Sequence, residues 1–296
     1  MIRVLSPGLL TTVQDLGRHG YAHLGVSPAG AADSVSLRVG NRLVGNPEAA
    51  PALEVTMQGG RYEFLQDATV ALTGAEFERL SIPMWRASKV SAGTIIDIGS
   101  ARTGVRGYLC VRGGLDVSRI MGSASTHLLS GFGAVLKRGE TLAIGDIVEA
   151  REPSGIALDP WPQRKRLRIT AGAQTSECDA NQAITLATAT YQVSDDSNRM
   201  GLRLKGPALN PPHGGQMLSE GVALGAIQIP PSGEPIILFV DAQTTGGYPV
   251  IASIISADLA SVGQLRPRDL VTFEFVTLSE ARRLLLEQES WIDAIY

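Results

Sequence analysis

Short apolar runs separated by glycine and proline dominate this chain from end to end. The 33 glycines and 16 prolines punctuate segments such as RVLS (3–6), ATVALTG (68–74), TIIDIG (94–99), GYLCVRGG (107–114), RLRIT (166–170), ATYQVSD (189–195), GAIQIP (225–230), PIILFVD (235–241) and DLVTFEFV (269–276). The last alternates, with Val271, Phe273 and Phe275 on one face and Thr272 and Glu274 on the other. A period of two marks a half-buried strand. Many short strands at turn-sized spacing predict a mainly β fold, a barrel or a sandwich.

Helical signals are few. GAADSVSLRVGNRLVGN (30–46) places Val35, Val39 and Leu43 on one face, with Asp33 or Ser34 as a cap and Gly45 as a stop. TLSEARRLLLEQESWIDAI opens with Thr277 and Glu280 at capping-box spacing and carries Leu284, Leu285, Ile292 and Ile295 on an apolar side. A short helical turn is expected after Ser256. The one shift in composition, REPSGIALDPWPQRKRLRI (151–169), has three prolines followed by Arg164, Lys165 and Arg166. It reads as a solvated linker or as an anion or partner contact, and it suggests a subdomain boundary near 160, dividing 1–160 from 161–296.

The 296 residues suffice for a sizeable core, at 44% hydrophobic and 19% charged. A net charge of −3 leaves no electrostatic footprint for nucleic acid or an anionic membrane. No run reaches the ~18 apolar residues of a membrane span, and MIRVLSPGLL has a proline where the apolar core of a signal peptide would run. A cytoplasmic location is expected. Cys110 and Cys178 form neither a disulfide framework nor a zinc pattern. Cys110 reads as a buried strand residue.

Several chemistries lack their motifs. There is no G-x-x-x-x-G-K-[ST] loop for a triphosphate, no G-x-G-x-x-G opening a helix, no H-E-x-x-H and no G-x-S-x-G. No metal site is expected. His19, His23, His127 and His213 are scattered and read as surface or structural residues.

What remains is polar and clustered in four stretches: 11–33, 122–133, 194–207, and 218–230 with the loop after it. In the first, Thr12, Gln14, Asp15 and Arg18 supply donors and acceptors in one place. In the third, Arg199 reads either as a surface ion pair or as a guanidinium gripping a carboxylate through two parallel hydrogen bonds. The fourth ends in IILFVDAQTTGGYPV (236–250), where an apolar run empties into Asp241, Gln243, Thr244, Thr245, Gly246, Gly247 and Tyr248. Gln243 offers an acceptor and two donors, matching an amide, a lactam or a ureido group. Gly246 and Gly247 permit positive φ and close approach of backbone to ligand. Tyr248 can cover such a site and Pro249 can stiffen its exit. The competing reading is an ordinary turn.

Taken together, TTVQDLGRHGY, GVSPAGAAD, NRLVGN, NRMGLRLKGP, SEGVALGAIQIP, DAQTTGGYP and ADLASVGQLRPRDLVTF resemble the allophanate hydrolase subunit 2 family from about residue 3 to about residue 276. Its members include the C subunit of 5-oxoprolinase, which this chain resembles most, an antagonist of a sporulation-kinase inhibitor, and the carboxyltransferase half of urea carboxylase. Where family members often have proline–glycine–aspartate before the last strand, this chain has Pro267, Arg268 and Asp269, which reads as a turn substitution.

The resemblance implies one family unit over 1–296 with a cyclophilin-like β-barrel architecture and a few peripheral helices. It implies a hydrolase component, inactive alone, that opens 5-oxoproline to glutamate with homologues of the A and B subunits and ATP. A heterotetramer of two B and two C subunits is the expected core. It also implies two alternatives. One is carboxyl transfer to urea or another amide from biotin carried on another protein, since this chain has no Met-Lys-Met attachment site and no covalently bound cofactor is expected. The other is regulatory binding of a histidine-kinase inhibitor. Gln243 and Arg199 are the expected catalytic residues. Thr12, Gln14, Asp15, Asp241, Thr244, Thr245, Gly246, Gly247 and Tyr248 are the expected substrate-binding set for a lactam or amide.

Overall fold

The computed structural model describes residues 1–147, 152–153 and 158–295, so part of the 151–169 stretch lies outside the described residues. The chain divides into two compact units. The first comprises Met1–Arg18, Ala29–Pro162 and Ser290–Tyr296, and the second comprises His19–Pro28 and Gln163–Glu289.

Among the described residues the first unit holds ten strands: β1 (Ile2–Ser6), β2 (Leu10–Gln14), β3 (Ala52–Thr56), β4 (Arg61–Phe64), β5 (Ala68–Phe77), β6 (Ser88–Val90), β7 (Ile95–Asp97), β8 (Ala101–Val111), β9 (Leu115–Asp116) and β10 (Thr141–Ile144). They form two five-stranded sheets, in the orders β7-β4-β1-β10-β9 and β2-β3-β8-β5-β6. Both sheets feed one apolar core. Val4, Tyr62, Phe64 and Ile96 come from the first, and Leu53, Val55, Leu72 and Leu109 from the second. Helix α1 (Ser34–Leu43) is capped by Asp33, whose carboxylate accepts from the Ser36 N–H at 2.9 Å. Its Val35, Val39 and Leu43 are buried, as the spacing predicts, and so is Leu37. The helix sits so close to the sheet at Gly40 that a Cβ there would lie 2.7 Å from the Cys110 sulfur.

The second unit is built on β11 (Arg166–Ala171), β12 (Tyr191–Val193), β13 (Gly201–Lys205), β14 (Glu220–Gly221), β15 (Ala226–Gln228), β16 (Ile236–Leu238), β17 (Thr245–Gly246), β18 (Val250–Ile254) and β19 (Leu270–Phe275). Seven of these close a barrel in the order β11-β18-β15-β16-β13-β12-β19, while β14 and β17 pair as a separate ribbon. The barrel joints are antiparallel except β11 against β19, which is parallel. Leu167, Ile169, Tyr191, Val193, Ile237, Val271 and Phe273 are buried. Phe275 departs from the expected alternation. It ends β19 and is 36% exposed.

Among the described residues, the α-helices of the second unit are α2 (Ala180–Thr188), α3 (Leu259–Val262) and α4 (Leu278–Asp293), the last crossing into the first unit. The sequence does not announce α2, because its threonines and isoleucine favour strand. A local device starts it: the Asp179 carboxylate accepts from the Asn181 N–H. At α4 only half of the expected capping box forms. The Glu280 N–H donates to Thr277 Oγ1 at 3.1 Å, while the Glu280 carboxylate pairs with Arg283. No helix of the described residues is long and apolar enough to cross a membrane.

The turn before β19 holds Arg268 at φ 72°, the left-handed region that favours glycine. Its ion pair with Asp195 is solvent-exposed and adds little. Arg268→Gly should therefore stabilise the protein by about 0.5–1 kcal/mol, the left-handed strain relieved less the glycine entropy. Urea denaturation checks this. A higher midpoint is expected, and a lower one would show that the Arg268 side chain outweighs its backbone strain.

Candidate functional site

The apolar run 236–240 enters the barrel as β16 and stays buried through Phe239 and Val240. Its ladder continues beyond the strand. The Phe239 N–H donates to the Met200 carbonyl and the Asp241 N–H to the Arg199 carbonyl, both at 2.9 Å. That register sets two side chains face to face. Arg199 Nε donates to Asp241 Oδ2 at 2.8 Å and Nη2 to Oδ1 at 3.1 Å. Both side chains are largely covered, which makes this a charge-assisted pair stronger than an exposed one. The expected grip of Arg199 on a carboxylate is thus made within the chain, on Asp241 itself.

After Asp241 the chain turns back on itself. Gly246 lies opposite Glu220 and Thr245 opposite Gly221 in the β14–β17 ribbon. The Val222 N–H donates to the Thr244 carbonyl and the Met217 N–H to the Gly247 carbonyl, each at 3.0 Å. The reason for the glycines differs from the expected one. Neither occupies the left-handed region. Instead, a Cβ at Gly246 would come within 2.6 Å of Gln228 Nε2, and one at Gly247 within 3.1 Å of the Met217 carbonyl oxygen. Close packing, not φ, favours glycine here, since the Gln228 amide or the Met217 carbonyl would have to shift to admit a Cβ.

Glu220 of the ribbon and the neighbouring Gln174 and Gln228 form a polar cluster that sequence reading missed. Gln228, buried in β15, donates to the Tyr248 carbonyl at 3.2 Å. Gln174 donates to Glu220 Oε1 at 3.0 Å and accepts from the Val250 N–H at 2.9 Å. The signal was present for one of them: Gln228 stands between Ile227 and Ile229 in an otherwise apolar run. Gln243 and Thr245 are exposed, Thr244 is half-buried, and Tyr248 is 39% exposed. The surface of the loop therefore offers the Gln243 amide and the Thr245 hydroxyl to solvent. The Arg199–Asp241 pair and the two buried glutamines hold its base.

Thr12, Gln14 and Asp15 fall in the first unit, and Arg199 and 241–248 in the second. The structure joins the first three to the loop 123–126. Asp15, buried, accepts from Ser123 Oγ at 2.6 Å, the Gly17 N–H at 2.8 Å, the Ala124 N–H at 2.7 Å and the Ser125 hydroxyl. Burial alone would raise its carboxyl, but the hydroxyls of Ser123 and Ser125 and the N–H groups of Ala124 and Gly17 outweigh it and hold the pKa below the usual aspartate value. Gln14 donates to Thr12 Oγ1 at 3.1 Å and to the Thr126 carbonyl at 3.2 Å, while its buried Oε1 has no partner among the described residues. Arg18 lies over the Phe132 ring, 5.0 Å from its centroid, and donates to the Ile120 and Ser125 carbonyls. Among the histidines, His127 Nδ1 meets Ser130 Oγ at 2.8 Å and His213 pairs with Glu177 at 2.7 Å.

Asp15 thus acts as a structural anion that ties 12–18 to 123–126. A depressed carboxyl stabilises the fold at neutral pH, and that stabilisation is lost as pH falls through the lowered folded value. Asp15→Asn should destabilise the protein at neutral pH, and the gap to wild type should narrow below about pH 4, where an unfolded-state aspartate protonates. Denaturation midpoints across pH measure it. A gap that stays constant or widens on acidification would refute this role.

The profile of the carboxyltransferase domain, subdomain A and B, matches residues 24–275. The C subunit of 5-oxoprolinase from Haemophilus influenzae is 37% identical to this chain, covering 100% of it and 97% of the relative. That of Escherichia coli is 38% identical with the same coverage. The urea amidolyase of Saccharomyces cerevisiae is 32% identical, but the match spans only 18% of that much longer protein. Among solved structures, the Kluyveromyces lactis urea amidolyase superposes with a TM-score of 0.92 at 31% identity over all of this chain and 20% of its own.

Proposed function

We propose, from the premise that this chain belongs to the carboxyltransferase domain family, subdomains A and B, that it serves as the C subunit of an ATP-dependent 5-oxoprolinase. One observation carries this reading: the 37–38% identity to two 5-oxoprolinase C subunits runs across nearly the whole of both partners. The urea-processing relatives support the second reading, carboxyl transfer to an amide, at lower identity and over a minor share of their length.

Ring opening adds water across the lactam C–N bond. The carbonyl carbon gains the oxygen, and the released nitrogen becomes an amine. An amide is a poor electrophile, so ATP consumption by the assembled complex supplies the driving force. This chain has no Met-Lys-Met sequence to carry biotin and no P-loop to cradle a triphosphate, so no step is routed through either group here. The proposed contribution of this chain is recognition. Gln243, exposed at the tip of the loop, presents a donor and an acceptor to the complementary edge of a lactam. Thr244 and Thr245 flank it, Tyr248 borders it, and Gly246 and Gly247 let the ribbon pack tightly beneath it. Arg199 acts as a positioning residue, since its fork holds Asp241 and with it the root of the loop. Thr12, Gln14 and Asp15 contribute by ordering the 123–126 loop of the first unit.

Gln243→Ala should reduce glutamate release by the assembled complex at least about tenfold, the value of one well-placed polar contact, while partner binding and folding persist. Full activity of this variant would remove Gln243 from the site. Assembly is tested separately. The chain should co-elute on size-exclusion chromatography with a homologue of the B subunit, in a two-plus-two heterotetramer, through an interface of about 2,000 Å² or more. Separate elution at micromolar concentration would contradict the proposed partnership.

A further inference from the structure

The first unit has an open cleft of about 420 Å³ lined by Lys89, Arg112, Thr69, Ser91, Gln66 and Asp67 among others. That volume lies within the ~300–1,000 Å³ of small-ligand sites. Sheet register explains how two cations meet there. Lys89 in β6 lies directly opposite Thr69 in β5. Val70 lies opposite Val111, and the next residue, Arg112, donates its N–H to the Thr69 carbonyl at 2.8 Å. Lys89, Thr69 and Arg112 thus form one row across three strands, and residues directly opposed in a sheet share a face. The outer two are about 10 Å apart along the sheet, two strand spacings, a span within reach of two long side chains.

Like charges placed in one row repel each other, so they are expected to have an acidic partner. Among the described residues neither Lys89 nor Arg112 makes an ion pair. Among the described residues the one carboxylate on the cleft wall is Asp67, whose Oδ1 accepts from the Ala92 N–H at 2.9 Å. Elsewhere on the same sheet the arginines find carboxylates, as Arg102 does with Glu76 and Arg106 with Glu54. Lys89 and Arg112 stand out as a pair of cations without one, with the hydroxyls of Thr69 and Ser91 beside them.

We infer that this cleft binds the phosphate group of a small molecule, with Arg112 supplying a forked donor, Lys89 a point charge, and Thr69 and Ser91 neutral donors. Inorganic phosphate and a nucleotide share this chemistry, and the site is independent of the loop 241–248 and of the ring-opening reading.

Isothermal titration of the full chain with inorganic phosphate, and separately with ADP, against chloride at equal ionic strength tests the inference. The wild type should bind at least one of the two. Binding of both assigns recognition to the phosphate alone, and binding of ADP only assigns it to a nucleotide's phosphate. Lys89→Gln with Arg112→Gln should weaken that binding at least about tenfold, with an unchanged circular dichroism spectrum. The single variants serve the same purpose if the double variant does not fold. Absence of heat with both ligands, or equal affinity in wild type and the charge variants, would overturn the site.

Discussion

Closure of the second unit's barrel rests on its single parallel joint, where Leu167 and Ile169 of β11 lie opposite Phe273 and Phe275 of β19. An ion pair locks that seam. Arg168, in the same strand, gives Asp258 its backbone N–H at 2.8 Å, its Nε at 3.0 Å and its Nη2, and both side chains are almost wholly buried. Removing one member of such a pair costs about 3–5 kcal/mol, because the other charge is left desolvated and alone. The Ile255 N–H returns to the Arg168 carbonyl at 3.0 Å and the Arg164 N–H to Ser261 Oγ at 3.0 Å, so the segment 255–262 is fastened to the seam at three residues. With the seam closed, β16 can keep its register between β13 and β15, and the loop that follows it has a fixed root.

The two polar clusters differ in how fully their groups are engaged. Asp15 has its charge met from several directions by hydroxyls and N–H groups, and its side chain is buried. At 241–248 the engaged groups lie underneath, in Arg199, Asp241, Gln174 and Gln228, and the unengaged ones lie on top. Gln243 is exposed. An amide that is neither buried nor bonded contributes little to folding, which makes it available for recognition. The tight packing under Gly246 and Gly247 limits how far the tip can shift, so the cost of ordering it on binding is partly met by folding.

Most of the strands were legible because their apolar runs are short and bounded by glycine or proline, and α1 was legible through its helical spacing and Asp33. Other features could not be read from local sequence. Helix α2 looks like strand by composition and is fixed by a single cap at Asp179. Arg199 and Asp241 are separated by 42 residues, and only the ladder register of β13 against β16 shows that they meet. The glycines at 246 and 247 were legible as necessary, yet for the wrong reason, since the crowding comes from Gln228 and Met217 in other segments. Conversely, Arg268 in a glycine position was visible in sequence as a turn substitution, and its backbone strain became visible only in φ.

We propose that this chain completes a ring-opening hydrolase and not a carboxyl-transfer enzyme. The family resemblance implies ATP for both activities and biotin only for carboxyl transfer. The most direct measurement is glutamate release from 5-oxoproline by the complex reconstituted with the A and B subunits, with and without avidin to sequester biotin. ATP-dependent release that needs this chain and is unchanged by avidin is expected. Loss of release on adding avidin, or ATP turnover supported by urea and not by 5-oxoproline, would contradict it.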